Sequence, residues 1–179
     1  MSTARYQPDR PLPAYAFVPG RHPHPVTDPR GHSFGIQHAG VEPLDPNHLK
    51  RSSEYLYGID LFNSGYYWEA HEAWEGLWNA AGRTGTTADF LKGLIKLAAA
   101  GVKAREGQPV GVTRHAIRAA ELFKNVASGL KSEAPIYAGL KLEDLQKIAN
   151  SLAAVPIVDT SQSVGGLTVL PYRLELAFE

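Results

Sequence analysis

The sequence predicts an all-α protein: a helical bundle of about five helices, with an extended Pro/His-rich N-terminal arm and an irregular or partly β C-terminal tail. Three observations carry this. Between residues 45 and 155 apolar side chains recur at helical spacing in successive stretches, divided by glycine-containing breaks. Nine of the thirteen prolines lie within residues 1–46, and proline removes a donor and locks φ, which excludes helix and central strand there. From Leu167 the helical period gives way to partial alternation, with Leu170, Tyr172, Leu174, Leu176 and Phe178 on one side. The chain is therefore divided into an arm, residues 1–44, a helical domain, residues 45–155, and a tail, residues 156–179.

Composition narrows the class. A chain of 179 residues with 44% hydrophobic residues is long and apolar enough for one domain with a core of its own. The formal net charge is zero, which argues against a dedicated binder of nucleic acid or anionic membrane. Without cysteine there is no disulfide, thiolate metal site or Cys nucleophile. The opening MSTARYQPDRPLP lacks an apolar signal core. The longest apolar run, near Gly93–Val102, is interrupted by Lys96 and is too short to cross a bilayer. A cytoplasmic location is the expectation.

In the arm, Tyr6, Leu12, Tyr15, Phe17, Val18 and Phe34 are apolar enough to anchor it, so it is expected to dock from about Tyr15 onward. Asp45-Pro46-Asn47 reads as the start of the first helix, with Asp45 capping and Pro46 at the first turn; that helix runs to about Phe62 and breaks at Asn63-Ser64-Gly65. The second helix spans about Tyr66–Ala81 and the third about Thr87–Glu106. The third is apolar almost all round apart from Lys92, Lys96 and Lys103, so it takes the central place in the bundle. Its Gly93, Ala100, Gly101 and Ala104 leave room for close backbone approach. The fourth, about Pro109–Gly129, carries the stripe Val112, Ala116, Ala119, Ala120, Phe123, Val126, Ala127, Leu130, with His115 off it and exposed. The fifth, Lys141–Ala154, turns Leu142, Leu145, Ile148, Ala149 and Leu152 inward.

The chemistry concentrates in the second helix, where FNSGYYWEAHEAWEGLW holds all three tryptophans among ionisable side chains. At 100° per residue, Tyr67, Ala70, Trp74, Leu77 and Trp78 form the apolar arc. His71 falls inside it. Glu75 and Trp68 stand on the shoulder, while Glu72 and Glu69 lie further round, toward solvent or a neighbouring element, with Glu69 outside the site. His71 and Glu75, at i and i+4, share a face.

This stretch, followed by FLKGLIKLAAAGVKAREGQPVG, resembles the bacterial and archaeal domain-of-unknown-function family 309. The shared pattern is F-N-x-G with EAHE flanked by aromatics, then F-L-K-G-L-I at the right distance and a Gly pair opening another helix. It covers Phe62 to about Leu122 and leaves the arm outside. The resemblance implies an all-helical fold and no reaction. Lys96 stands where the family often has Gln.

The candidate chemistry is a divalent-metal site. His71, Glu75 and Glu72 are nitrogen and oxygen donors suited to a divalent ion. The arm offers His22, His24 and His32, with Asp28 between them, and Pro23 favours the extended backbone that lets His22 and His24 meet one ion. Such an ion would activate water for hydrolysis. A metal-free acid–base role for His71 beside Glu75 is the second reading, and no Ser or Cys stands at a spacing that would complete a triad. The third is structural: the His/Glu cluster only fixes packing, with Lys92 and Lys96 neutralising Glu69, Glu72 or Glu75. In that reading the module is structural or binds a protein partner. Self-association through the tail is a further candidate.

Overall fold

The computed structural model describes residues 4–37 and 40–177, so His38 and Phe178 lie outside the described residues. The chain forms α1 (Ser53–Asn63), α2 (Tyr67–Ala80), α3 (Thr86–Arg105) and α4 (Pro109–Ser128). A small antiparallel hairpin follows, β1 (Ile136–Tyr137) with β2 (Leu140–Lys141), and then α5 (Leu142–Ala154). The fold is all-α, as its periodicity predicts. α3 lies in the middle, packed on α2 and α4; α1 packs on α2, and α5 on α4. No helix among the described residues is long and apolar enough to cross a membrane.

α1 starts later than its sequence suggests. The Asp45 carboxylate accepts from the Asn47 N–H at 2.9 Å and pairs with His48 Nδ1 at 2.7 Å. It closes a local turn instead of capping a helix, the alternative always open to Asp next to free backbone donors. A single 3₁₀ turn, Leu49–Arg51, follows before the helix begins. α1 ends as expected. Gly65 has φ +79°, and a Cβ there would lie 2.4 Å from the Leu167 carbonyl carbon. The position therefore needs glycine for both its left-handed backbone and the tail pressed against it.

The core is built from rings seated in glycine notches. Trp74 is fully buried over Gly58, and Phe62 lies 5.3 Å from Tyr67 and 6.0 Å from Trp74, centroid to centroid. Gly93 receives Phe123 and Gly101 receives Tyr67. The small residues of α3 thus admit aromatic rings, not a neighbouring backbone. Their job is to let α2 and α4 approach while bulky rings fill the volume between them.

The arm and the tail both fold back on this body. Tyr15, Ala16, Phe17 and Val18 are buried. Phe34, expected to anchor, is 49% exposed. Docking begins earlier than Tyr15: the Asp60 carboxylate on α1 accepts from the Tyr6 N–H at 2.8 Å and the Gln7 N–H at 2.7 Å. Arg10 reaches Glu54 at 2.6 Å and lies over the Tyr57 ring. The tail is irregular throughout its described residues. Asn63 holds it with two bonds, donating to the Leu174 carbonyl and accepting from the Leu174 N–H, both at 2.8 Å. Leu170, Leu174 and Leu176 are buried. The alternation of the tail is spent on its own bundle, because Asn63 and the Tyr67 hydroxyl supply the partners that its backbone needs.

Candidate functional site

α2 presents two polar centres on two sides. The outward one is His71, Glu72 and Glu75, and each of the three offers a ligand atom within 4.8 Å of the others. His71 Nδ1 lies 3.3 Å from Glu72 Oε1, with side-chain exposures of 27% and 43%. These values place the cluster at the surface, not in the apolar arc that the wheel draws for His71. The i,i+4 spacing brings His71 and Glu75 together, and the length of the Glu72 side chain brings it in from the next position.

Around this cluster stands a basic fringe from α3 and α4. Lys92 forms no ion pair among the described residues; its ammonium lies 3.8 Å from the centroid of the Trp78 ring. The pKa of Lys96 is lowered by burial first and by Lys92 and Arg118 next, with Glu75 opposing. His115 is half-buried, not exposed as its off-stripe position predicts. Burial lowers its pKa, and the positive potential of Lys96, Lys103, His71 and Arg114 lowers it further. Lys103, Arg114 and His115 also line an open groove of about 490 Å³ with Gln108, Pro109, Val110 and Gly111.

The inward centre is Glu69. The wheel puts it toward solvent or a neighbouring element, and the arm is that element: Glu69 is 6% exposed, because the arm lies across that side of α2. Its Oε1 accepts from the Phe17 N–H at 2.9 Å and lies 3.0 Å from His32 Nε2. The other side of the His32 ring faces the Ser33 hydroxyl at 2.8 Å. His22 stacks on Tyr15 at 5.3 Å, and His24 meets the edges of Phe17 and Trp68 at 5.2 and 5.5 Å. The arm's histidines thus reach α2 at Glu69 and Trp68. The structure brings His71, Glu72 and Glu75 together; it does not bring His22, His24 or His32 into that group. Asp28 is also elsewhere, paired with Arg30 at 3.0 Å.

Two carboxylates, Asp60 and Glu69, therefore staple the arm by its backbone N–H groups. Asp60 is not a candidate on sequence grounds alone, although its place in the otherwise apolar run YLYGIDLFN is a signal. A buried carboxylate needs donors, and no cation lies at helical spacing to supply them. Arg105, the last residue of α3, is 2% exposed. A basic residue at a helix C-terminus ordinarily complements the dipole in solvent, so nothing in the sequence marks it as buried.

Residues 55–115 match the family model described as Domain of unknown function (DUF309). The match is the one read from the EAHE stretch, and it spans most of α1, all of α2 and α3, and the first turns of α4. It includes His71, Glu72, Glu75 and Glu69 and leaves the arm and the tail outside. No curated protein matches the chain.

Proposed function

We propose that this chain is a divalent-metal-binding helical protein of the cytoplasm, with His71, Glu72 and Glu75 as ligands. The observation that supports the reading is the convergence of three donor atoms within 4.8 Å on one exposed helix face. One imidazole and two carboxylates suit a divalent ion such as Zn²⁺, which takes nitrogen and oxygen donors, or the harder Mn²⁺. Three protein ligands leave coordination positions open, the arrangement of catalytic rather than structural ions. An ion held there would supply Lewis-acid activation of water near neutral pH, which makes hydrolysis the natural chemistry. His115, whose pKa is lowered by burial first and then by the surrounding cations, with His71 among the groups acting on it, is the candidate base for that water.

The arm's histidines take a structural role in this account. His32 and Glu69 form the buried pair that fixes arm to helix, a packing device of the kind weighed for the whole cluster. The alternative reading extends that role to His71, Glu72 and Glu75, with the chain a structural or protein-interaction module. The nearness of Lys96 to Glu75 favours it, because a cation beside the carboxylates competes with a metal.

Metal analysis of the purified, tag-free protein after dialysis against Zn²⁺ or Mn²⁺ separates the two. The metal reading expects near-stoichiometric ion, lost in His71→Ala and in Glu75→Gln and kept in His24→Ala. Absence of retained metal, or equal retention in His71→Ala, contradicts it.

A further inference from the structure

Arg105 stands out among the described residues. It is 2% exposed, and its Nε, Nη1 and Nη2 are all buried with no hydrogen-bond partner among the described residues. No carboxylate pairs with it there. Beside it the arm contributes Arg21, which donates from Nη2 to the Arg105 carbonyl at 2.6 Å while its Nη1 is buried and also unpartnered. Two guanidinium groups are thus gathered at the end of α3. A buried guanidinium without an anion is costly, because its charge and its donors both lose water. The carbonyls at the helix C-terminus offset only a part of this.

The nearby acids compensate only in part: Asp159 and the two arginines act on one another without an ion pair. The Asp159 carboxylate is engaged by the Ser161 N–H and hydroxyl, and its own N–H donates to the Ala104 carbonyl at 3.1 Å. Glu69 uses Oε1 for Phe17 and His32, and its Oε2 is buried without a partner. Neither forms an ion pair with Arg21 or Arg105.

We propose that Arg105 and Arg21 bind a phosphate group, free or carried on a small molecule, at the junction of the arm, the end of α3 and the tail. Two fork-shaped cations match a tetrahedral dianion in charge and in donor geometry. The site is separate from the His71 cluster and does not depend on a metal there. His22 adjoins it, and its proton affinity is lowered by burial first and then by Arg105 and Arg21, as a residue facing this positive potential would show. The three Arg105 guanidinium nitrogens and Arg21 Nη1 have no contact with solvent, so entry requires the turn at residues 18–22 to lift. That turn carries Pro19 and Gly20 on the surface and is held by the Arg21 N–H to Val18 carbonyl bond, the Val18 N–H to His22 Nδ1 bond and the Arg21 Nη2 bond to the Arg105 carbonyl.

The test is thermal unfolding and calorimetric titration of the full chain with inorganic phosphate and with methyl phosphate, at millimolar levels and constant ionic strength kept with chloride. The expected result is a saturable rise in Tm of several degrees. Arg21→Gln weakens binding at least about tenfold, as loss of one charge-assisted pair implies. Arg105→Met abolishes it, with a Tm in chloride equal to or above that of the unsubstituted chain, since the uncompensated charge is gone. A structural arginine gives the opposite sign in chloride. Lys103→Gln with Arg114→Gln, in the open groove, leaves binding unchanged. Acetate binding as tightly as phosphate overturns the choice of a dianion. Absence of a saturable shift, or a shift kept in Arg21→Gln and Arg105→Met, overturns the site; the second result with loss in the groove variant relocates binding to Lys103 and Arg114.

Discussion

Replacing Glu69 by alanine tests how the arm is held. The carboxylate is buried and makes two contacts with the arm, the Phe17 N–H at 2.9 Å and His32 Nε2 at 3.0 Å. The Phe17 N–H is itself buried, so losing its acceptor exposes the full desolvation cost of that group, about 1–3 kcal/mol. Loss of the His32 contact adds about 1 kcal/mol. Glu69→Ala is therefore expected to cost about 2–4 kcal/mol, the sum of these two contributions. Glu69→Gln keeps an oxygen for Phe17 and loses the charge assistance only, about 1 kcal/mol. Urea unfolding followed by circular dichroism measures the difference as a change in midpoint at constant slope. Trypsin cleavage after Arg30, which is exposed, reports on the arm separately. Where opening is fast relative to cleavage, each 1.4 kcal/mol of local destabilisation raises the rate about tenfold. The two readouts should move together, with glutamine between alanine and the unsubstituted chain. A cost below about 0.5 kcal/mol in Glu69→Ala, the range of ordinary surface substitutions, together with an unchanged cleavage rate, would refute the staple.

Other substitutions reach the tail, the core and the titrating face. Asn63→Ala removes both bonds to Leu174 and is expected to destabilise by about 2–4 kcal/mol and to make the tail proteolytically labile; an unchanged urea midpoint contradicts it. Gly101→Ala puts a methyl 2.4 Å from the Tyr67 ring, so the helix-propensity gain of about 1 kcal/mol is outweighed by about 1–3 kcal/mol of overpacking; a Tm that rises would show that the ring can move. His115 has a folded-state pKa below its ordinary 6.5, so the unfolded chain takes up a proton first as pH falls. Its contribution is complete above 6.5 and is lost as pH drops from there toward the folded value. His115→Asn should flatten the fall in Tm on the acid side of neutrality, and an identical pH profile would count against the buried, cation-facing environment described for it.

Much of the bundle is legible in the sequence, because Gly65, Gly82, Gly85 and Gly107 mark the ends that the apolar stripes leave open. The starts and ends of α2 to α5 follow from that combination. The start of α1 is not legible: Asp45-Pro46-Asn47 is an equally good turn, and only the three-dimensional course of the chain shows which donors Asp45 takes. The hairpin at residues 136–141 is too short to generate a period. For the site, the wheel correctly brings His71 and Glu75 together, since i,i+4 neighbours meet on any helix. It leaves Glu69 between solvent and a neighbouring element, because a helical wheel knows the helix's own faces and not that an arm covers one of them. Asp60 and Arg105 escape for the same reason. Their roles are set by residues about fifty and about eighty positions away in the chain, Tyr6 and Gln7 for one and Arg21 for the other.

The central claim, that the outward face of α2 holds a divalent ion, is tested most directly by titrating Zn²⁺ and Mn²⁺ into the metal-stripped chain beside His71→Ala and Glu75→Gln. The account predicts one saturable site per chain. Each substitution should weaken it at least about tenfold, the loss of one ligand of three being worth well over 1.4 kcal/mol, with both variants folded as judged by circular dichroism. Binding that is absent in the unsubstituted chain, or unaffected in both folded variants, would contradict the claim and leave His71, Glu72 and Glu75 as a solvated polar face of the bundle.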